Sequence, residues 1–218
     1  MRPYMEYETL SCEQRDQIAV LTLNRPDKRN ALSRKLRDEI IICLEDLESN
    51  ENVHVVIMTG AGDSFCAGFD LSEFQTGDMN EIFAHATTYH HKVYNCTKPI
   101  IAAINGPAMA GGMDLAAMCD LRIAGDKAIF GQPQVKMGIA AAFDLLRTVI
   151  AEPLARELCL TGRVLAVDEA IRCGFINEAV SQAELFDRAM QIASSIADTK
   201  CGEVMKTEFR DGQPDLFE

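Results

Sequence analysis

Gly111, Gly112 and Asp114 carry the most chemical potential in this chain. They lie in the stretch Lys98–Asp120, KPIIAAINGPAMAGGMDLAAMCD. A glycine pair that opens a helix presents unpaired backbone N–H groups carrying partial positive charge. Glycine lets a ligand oxygen approach them closely. Asp114 falls in the first turn, beside whatever those amides hold. The same pattern also suits tight helix–strand packing, with Asp114 complementing the helix dipole. A second candidate is Cys66-Ala67-Gly68-Phe69-Asp70-Leu71. Small residues there let a ligand lie against the backbone, and an acid follows. Lys28 and Arg29 sit in a loop before a helix, where such charges are either solvated or meet a phosphate.

These residues need a frame. Ile100–Ile104 is a short apolar run without alternation, which suits a strand covered on both faces. Asn105, Gly106 and Pro107 break it. Met113–Cys119 reads as the first turns of a buried helix. Upstream, Tyr7–Cys12 and Ile18–Asn24 read as strands with Glu13–Gln17 as a polar turn. Ser33 is placed to cap a helix through Leu47, with Leu36, Ile40, Cys43, Leu44 and Leu47 at helical spacing. Val53–Thr59 is a further core strand. The spacing predicts helices over Glu81–Tyr94, Phe143–Ile150, Pro153–Leu160, Ala166–Arg172 and Ala183–Ala197. Leu121–Ala124, Ala128–Phe130 and Glu178–Val180 read as short strands. Residues 131–138 read as a turn-rich loop, and 210–214 as a frayed tail. Strands alternating with helices point to an α/β domain.

The 218 residues suffice for one domain with a sizeable core, and 48% are hydrophobic. The formal net charge of −12, with no Lys/Arg run, argues against nucleic acid as a partner. An anionic ligand would need a local cluster of donors. Eight cysteines occur without a C-x-x-C pair. That argues against zinc and a disulfide framework and for reduced thiols in a cytoplasmic protein. No apolar run has signal-peptide or membrane-span length. After Val53–Thr59, Gly60-Ala61-Gly62 starts like a dinucleotide-binding turn. Phe65 occupies the third glycine position, so that reading fails, and no Walker A pattern occurs. His85, His90 and His91 have no acidic partner at metal spacing and read as surface or packing residues. No metal site is expected.

Three ordered segments resemble one family. They are Leu23–Leu32 (LNRPDKRNAL), Thr59–Leu71 (TGAGDSFCAGFDL), and Lys98–Leu115 continuing to Phe130-Gly131-Gln132-Pro133; Leu160-Thr161-Gly162-Arg163 adds a further match. Together they resemble the crotonase superfamily, the enoyl-CoA hydratase/isomerase family, from about Ile18 to Leu185. The resemblance implies a spiral of ββα repeats with a short C-terminal helical region. It divides the chain into a domain over 1–198 and a tail over 199–218, shorter than is usual for the family. It also implies assembly as a homotrimer or a dimer of trimers. The ligand implied is an acyl-CoA thioester, with coenzyme A as part of the substrate and no separate cofactor. Its carbonyl would accept hydrogen bonds from the N–H groups of Phe69 and Gly111, an oxyanion hole. Lys28, Arg29, Ala31, Ala67 and Asp70 map onto CoA-binding positions, Ala67 against the adenine and Lys28 or Arg29 at the phosphates.

The acids depart from the family pattern. Its two catalytic glutamates map onto Asp114 and Gln134. Asp114 keeps a carboxyl, retracted by about one C–C bond. Gln134 can hold a water but cannot exchange a proton at neutral pH. Asp144 is a candidate replacement, its alternative being a surface charge at a helix end. Hydration of a 2-enoyl-CoA is the nominal activity. Double-bond isomerisation follows, then thioester hydrolysis or decarboxylation, and a binding protein without turnover is the alternative of a different class. Residues 72–79 are expected to line the acyl pocket. Lys200 and Lys206 are possible phosphate ligands from the C-terminal region.

Overall fold

A computed structural model describes residues 7–214, 216 and 217. It opens with a hairpin of β1 (Leu10–Arg15) and β2 (Ile18–Leu23), Leu10 opposite Leu23 and Arg15 opposite Ile18. The first strand starts later than the sequence suggests, and the turn shrinks to Asp16 and Gln17. β1 is the sheet edge, and Ser11, Glu13 and Arg15 alternate outward to solvent, so polar residues do not end it. α1 (Arg34–Glu48) begins where predicted, with Ser33 Oγ accepting from Leu36 N–H at 3.3 Å.

The rest of the chain follows as β3 (Val55–Gly60), α2 (Glu73–Thr76) and α3 (Met79–Tyr94). Next come β4 (Ile100–Ile104), β5 (Ala108–Met109) and α4 (Gly111–Met118). β6 (Leu121–Gly125) and β7 (Ile129–Gly131) lead through a 3-10 turn at Pro133–Met137 to α5 (Phe143–Val149) and α6 (Glu152–Thr161). β8 (Val164–Ala166), α7 (Val167–Arg172), β9 (Glu178–Val180), α8 (Leu185–Thr199) and α9 (Gly202–Asp211) complete it. The large sheet has the order β1-β2-β3-β4-β6-β9 and is parallel beyond the hairpin. The small sheet is β5-β7-β8. β4-β5-α4 and β6-β7-α5 repeat one step: a strand of the large sheet, a short strand of the small sheet, a helix. This is the ββα repeat that the resemblance implies.

β4 shows why its sequence does not alternate. Ile100, Ala102 and Ile104 face the core shared with α1, α3 and α4, whereas Ile101 and Ala103 face a second core under α8. All five are buried. Among the described residues no helix is long and apolar enough to cross a membrane, and all eight cysteines are free.

The sequence reading has no helix over 202–209, where α9 runs; the expected frayed tail, 210–214, keeps only its first two residues in that helix. Gly202 opens this helix rather than interrupting one. Lys98 Nζ donates to Glu203 at 2.7 Å. Lys206 Nζ donates to Asp120 at 2.8 Å and to the Lys98 carbonyl at 3.0 Å. Lys206 is therefore a buried tether to the residue that follows the C-terminal end of α4, not a phosphate ligand; Lys200 is exposed. Asp120 also accepts from Ile100 N–H at 2.7 Å and keeps a quarter of its side chain exposed. Removing the carboxylate strands a buried ammonium and costs more than removing the ammonium. Asp120→Ala is expected to lower the unfolding free energy by about 3 kcal/mol, and Lys206→Met by less. Urea denaturation of both variants checks the order, and equal or reversed losses would contradict it.

Candidate active site

Three backbone segments converge at the start of α4. Met109 N–H donates to the Cys66 carbonyl at 2.9 Å, and Leu32 N–H donates to the Gly68 carbonyl at 2.8 Å. These contacts place loop 61–72 between loop 25–33 and the β5–α4 junction. Gly112 touches the same carbonyl from the helix side: a Cβ there would lie 2.1 Å from Cys66 O. Gly68 takes φ +94°, and a Cβ on it would lie 3.1 Å from the Gly111 nitrogen. Only glycine fits such positions. The Phe69 ring covers Gly111, and Gly68, the residue before Phe69, lies beside the Gly111 amide. Among the described residues, neither the Phe69 nor the Gly111 N–H has an acceptor. Ala110, just before, is held at φ 51° and ψ −126°, a sparsely populated conformation for a residue with a side chain. Its N–H donates to Gly131 O at 2.8 Å, and its carbonyl accepts from Met113 and Asp114 N–H. That frame aims the helix start.

Asp114 is 5% exposed within a helix that is buried throughout. Burial pushes its carboxyl up to about 7, partly offset by a hydrogen bond from Gln132. Gln132 Nε2 donates to Asp114 Oδ1 at 2.8 Å, and Gln134 Nε2 donates to Gln132 Oε1 at 2.6 Å. Gln134 Oε1 is buried and has no partner among the described residues. The sequence reading took Gln134 as a site residue and passed over Gln132, which is fully buried and links it to Asp114. The only signal was its place between β7 and Pro133. A carboxyl poised near neutrality suits proton exchange, and a buried acceptor suits an O–H group.

Asp144 does not join this set. It sits in the first turn of α5, exposed, and accepts from Arg147 Nε at 2.9 Å. No interaction links it to Asp114, so its reading as a surface helix-end charge holds. Asp70 also differs from expectation. Arg25 pairs with it at 2.9 Å, and Ser72 Oγ donates to it at 2.7 Å. Partial burial raises its carboxyl, but these bonds hold it below the usual range. Asp70 is thus a strut of its loop, its carboxylate already engaged. Arg25 also donates to the Ala31 carbonyl at 2.5 Å. Ala67 N–H donates to the Arg29 carbonyl at 3.0 Å, which joins the Ala67 loop to the basic loop. Lys28 and Arg29 are exposed and have no anionic partner among the described residues. Asn30 organises their loop, its Nδ2 donating to Ala61 O and Ser64 O.

Residues 72–79 include α2, whose Glu73 bonds to Arg37. Arg37 is another residue the sequence reading missed; it is fully buried. Its spacing of three and seven from the core residues Ile40 and Leu44 was the available signal. His85, unlike the expectation, meets an acid, Asp38, at 2.7 Å. His90 packs against Phe69 with centroids 6.1 Å apart, and His91 is exposed.

A family model described as enoyl-CoA hydratase/isomerase matches residues 13–209. The chain belongs to this family. A short-chain-enoyl-CoA hydratase of Clostridium acetobutylicum is 37% identical over 88% of this chain and 76% of its own. A 4-chlorobenzoyl coenzyme A dehalogenase of an Arthrobacter species is 36% identical over 96% and 80%. The crystal structure of an enoyl-CoA hydratase from Bacillus anthracis superimposes with a TM-score of 0.90 at 31% identity, covering 96% of this chain and 85% of that one. As a member of the crotonase superfamily, the chain has the α/β spiral fold that its sequence resembles.

The Asp114 environment has a measurable signature. Unfolded, the carboxyl titrates near about 4; folded, at about 7. Between those values the folded chain keeps a proton that the unfolded chain has released, so this group's contribution to stability falls as pH rises through 7. Asp114→Asn removes that term. From pH 4 to pH 8, wild type is expected to lose on the order of 4 kcal/mol relative to the variant. Urea titrations across that range test it, and parallel stability profiles would contradict it.

Proposed function

We propose that this chain binds an acyl-CoA thioester and nominally adds water across a 2-enoyl-CoA. One observation carries the reading: a buried carboxyl poised near pH 7 in the first turn of a helix whose first N–H, with that of Phe69, is unpaired. The thioester oxygen takes hydrogen bonds from the Phe69 and Gly111 N–H groups. These strengthen as negative charge gathers there during attack. Asp114, as the carboxylate, takes one proton of a water while its oxygen bonds to C3. The enolate then takes that proton from Asp114 at C2. Gln134 Oε1 accepts the water's other O–H, and Gln132 steadies Asp114. Lys28 and Arg29 meet the CoA phosphates, and Ala67 lies against the adenine. Coenzyme A enters as part of the substrate, and no separate cofactor is invoked. A homotrimer or dimer of trimers in the cytoplasm belongs to the same reading.

Isomerisation is the second reading, because it needs only one shuttling carboxyl and Asp114 supplies one. A single carboxyl can remove a proton from C2 of a 3-enoyl-CoA and return it to C4. Incubation with 2-enoyl-, 3-enoyl- and saturated acyl-CoA thioesters, with products resolved by mass spectrometry, separates the readings. Gain of one water supports hydration, and a shifted double bond supports isomerisation. Tight binding without product identifies a binder, and neither binding nor turnover overturns the reading. Asp114→Asn is expected to lower turnover by about a thousandfold while acyl-CoA affinity stays within a few-fold. In Gln132→Leu the loss of a bond that favours the ionised carboxyl moves the limb of the pH–rate profile that tracks Asp114 to higher pH. An unmoved limb would separate Gln132 from Asp114.

A further inference from the structure

We infer that Arg37 is a positioning residue for the oxyanion hole, fixing the peptide whose N–H Phe69 contributes; the inference rests on the acyl-CoA reading above. A fully buried arginine is rare and needs its charge and donors matched. Arg37 reaches this state on the buried stripe of α1 by making four hydrogen bonds. Nη1 donates to the Leu32 carbonyl at 2.7 Å and to Glu73 Oε2 at 3.1 Å, and Nη2 donates to the same oxygen at 3.0 Å. Nε donates to His85 Nδ1 at 3.0 Å. An arginine nitrogen can only donate, so His85 Nδ1 is the acceptor and its proton lies on Nε2, against Asp38.

Each partner lies on a segment that borders Phe69. Leu32 is the backbone neighbour of the Phe69 peptide: its N–H donates to Gly68 O, and its carbonyl accepts from Asp70 N–H at 3.4 Å. The carbonyl that Arg37 holds is thus the one that brackets Phe69 from its far side. Glu73 belongs to α2, four residues after Phe69, and His85 belongs to α3, which packs on α1. The guanidinium carbon also lies 5.0 Å from the centroid of the Phe69 ring. That ring rests on Gly111, so one cation sets both the ring that covers Gly111 and the carbonyl that brackets Phe69. Lysine would keep the charge but not the fork that serves Leu32, Glu73 and His85 together.

A merely structural Arg37 would alter stability and leave the bound carbonyl alone. The test therefore reads the carbonyl. Butanoyl-CoA labelled with carbon-13 at the thioester carbonyl is bound to the full chain, and its stretch is measured by infrared difference spectroscopy. Turnover of 2-butenoyl-CoA is followed in parallel. Wild type is expected to move the stretch to lower frequency. Folded Arg37→Met is expected to lose at least half of that movement and about tenfold in kcat, as a displacement below 1 Å would cause, with KM within threefold. Arg37→Lys is expected not to restore it. If Arg37→Met does not fold, Glu73→Gln serves, because it keeps an oxygen toward Arg37 and removes the charge, its amide nitrogen replacing the oxygen that accepts from Arg34 N–H; it is expected to lose part of the movement. An unchanged stretch in whichever variant folds, with wild type shifted, overturns the role of Arg37 alone. An unshifted stretch in wild type overturns the acyl-CoA reading and this inference with it.

Discussion

At Gly112 the chain passes so close to the Cys66 carbonyl that a single methyl group would lie 2.1 Å from it. That approach governs much of the rest. It locks the start of α4 to loop 61–72, and Gly68 and Gly111 close the same seam from the other side. Loop 25–33 enters through Leu32, and β7 enters through the bond between Ala110 and Gly131. Gly68 is thereby set beside the Gly111 amide, and neither that N–H nor that of Phe69 has an acceptor among the described residues. The strained backbone at Ala110 persists because both of its polar groups are tied down. Separating any one of these strands from the seam would leave the helix start without its aim.

The same seam sets the electrostatics. Because α4 is buried from end to end, the Asp114 charge is poorly solvated, and its carboxyl rises to about 7. A glutamine chain, not a second acid, surrounds it. Gln132 donates to the carboxyl and Gln134 donates to Gln132, so the order of donors is fixed along the row. A site holding two carboxylates would have to separate like charges. This one holds a single acid–base group and an idle acceptor. Placed on a helix whose first N–H is unpaired, that set suits the transfer of one proton at a time in the proposed reaction.

Much of this was legible in the sequence because the signals were local. The unbroken apolar run of β4 announced a strand covered on both faces, and Ser33 announced the start of α1. The glycine pair announced a helix start in close contact with a neighbouring segment, which Gly112 makes at the Cys66 carbonyl. What the sequence concealed depends on tertiary contact. β1 runs on through charged residues because an edge strand solvates its outer face. α9 forms despite Gly202 because Lys98, Lys206 and Asp120 dock it. Asp70 is a plausible ligand in a motif, but Arg25 reaches it through the fold. Asp144 is an acid further along the same region, yet it lands on the surface of α5. Gln132 looks like filler between a strand and a proline until its amide is seen against Asp114. Arg37 looks like a solvated charge until its stripe along α1 is counted.

The row Gln134–Gln132–Asp114 also bears on isotopes. An amide holds a hydrogen bond but does not pass on an acidic proton at neutral pH. Asp114 is 5% exposed, and Gln132 is its one hydrogen-bonding side-chain partner among the described residues. A deuteron picked up by that carboxyl therefore has no neighbouring acid to receive it and little solvent to exchange with. In the proposed isomerisation, a hydrogen lifted from C2 of a bound molecule would therefore stay within reach of C4. Label would travel within the molecule instead of washing out into the water around it.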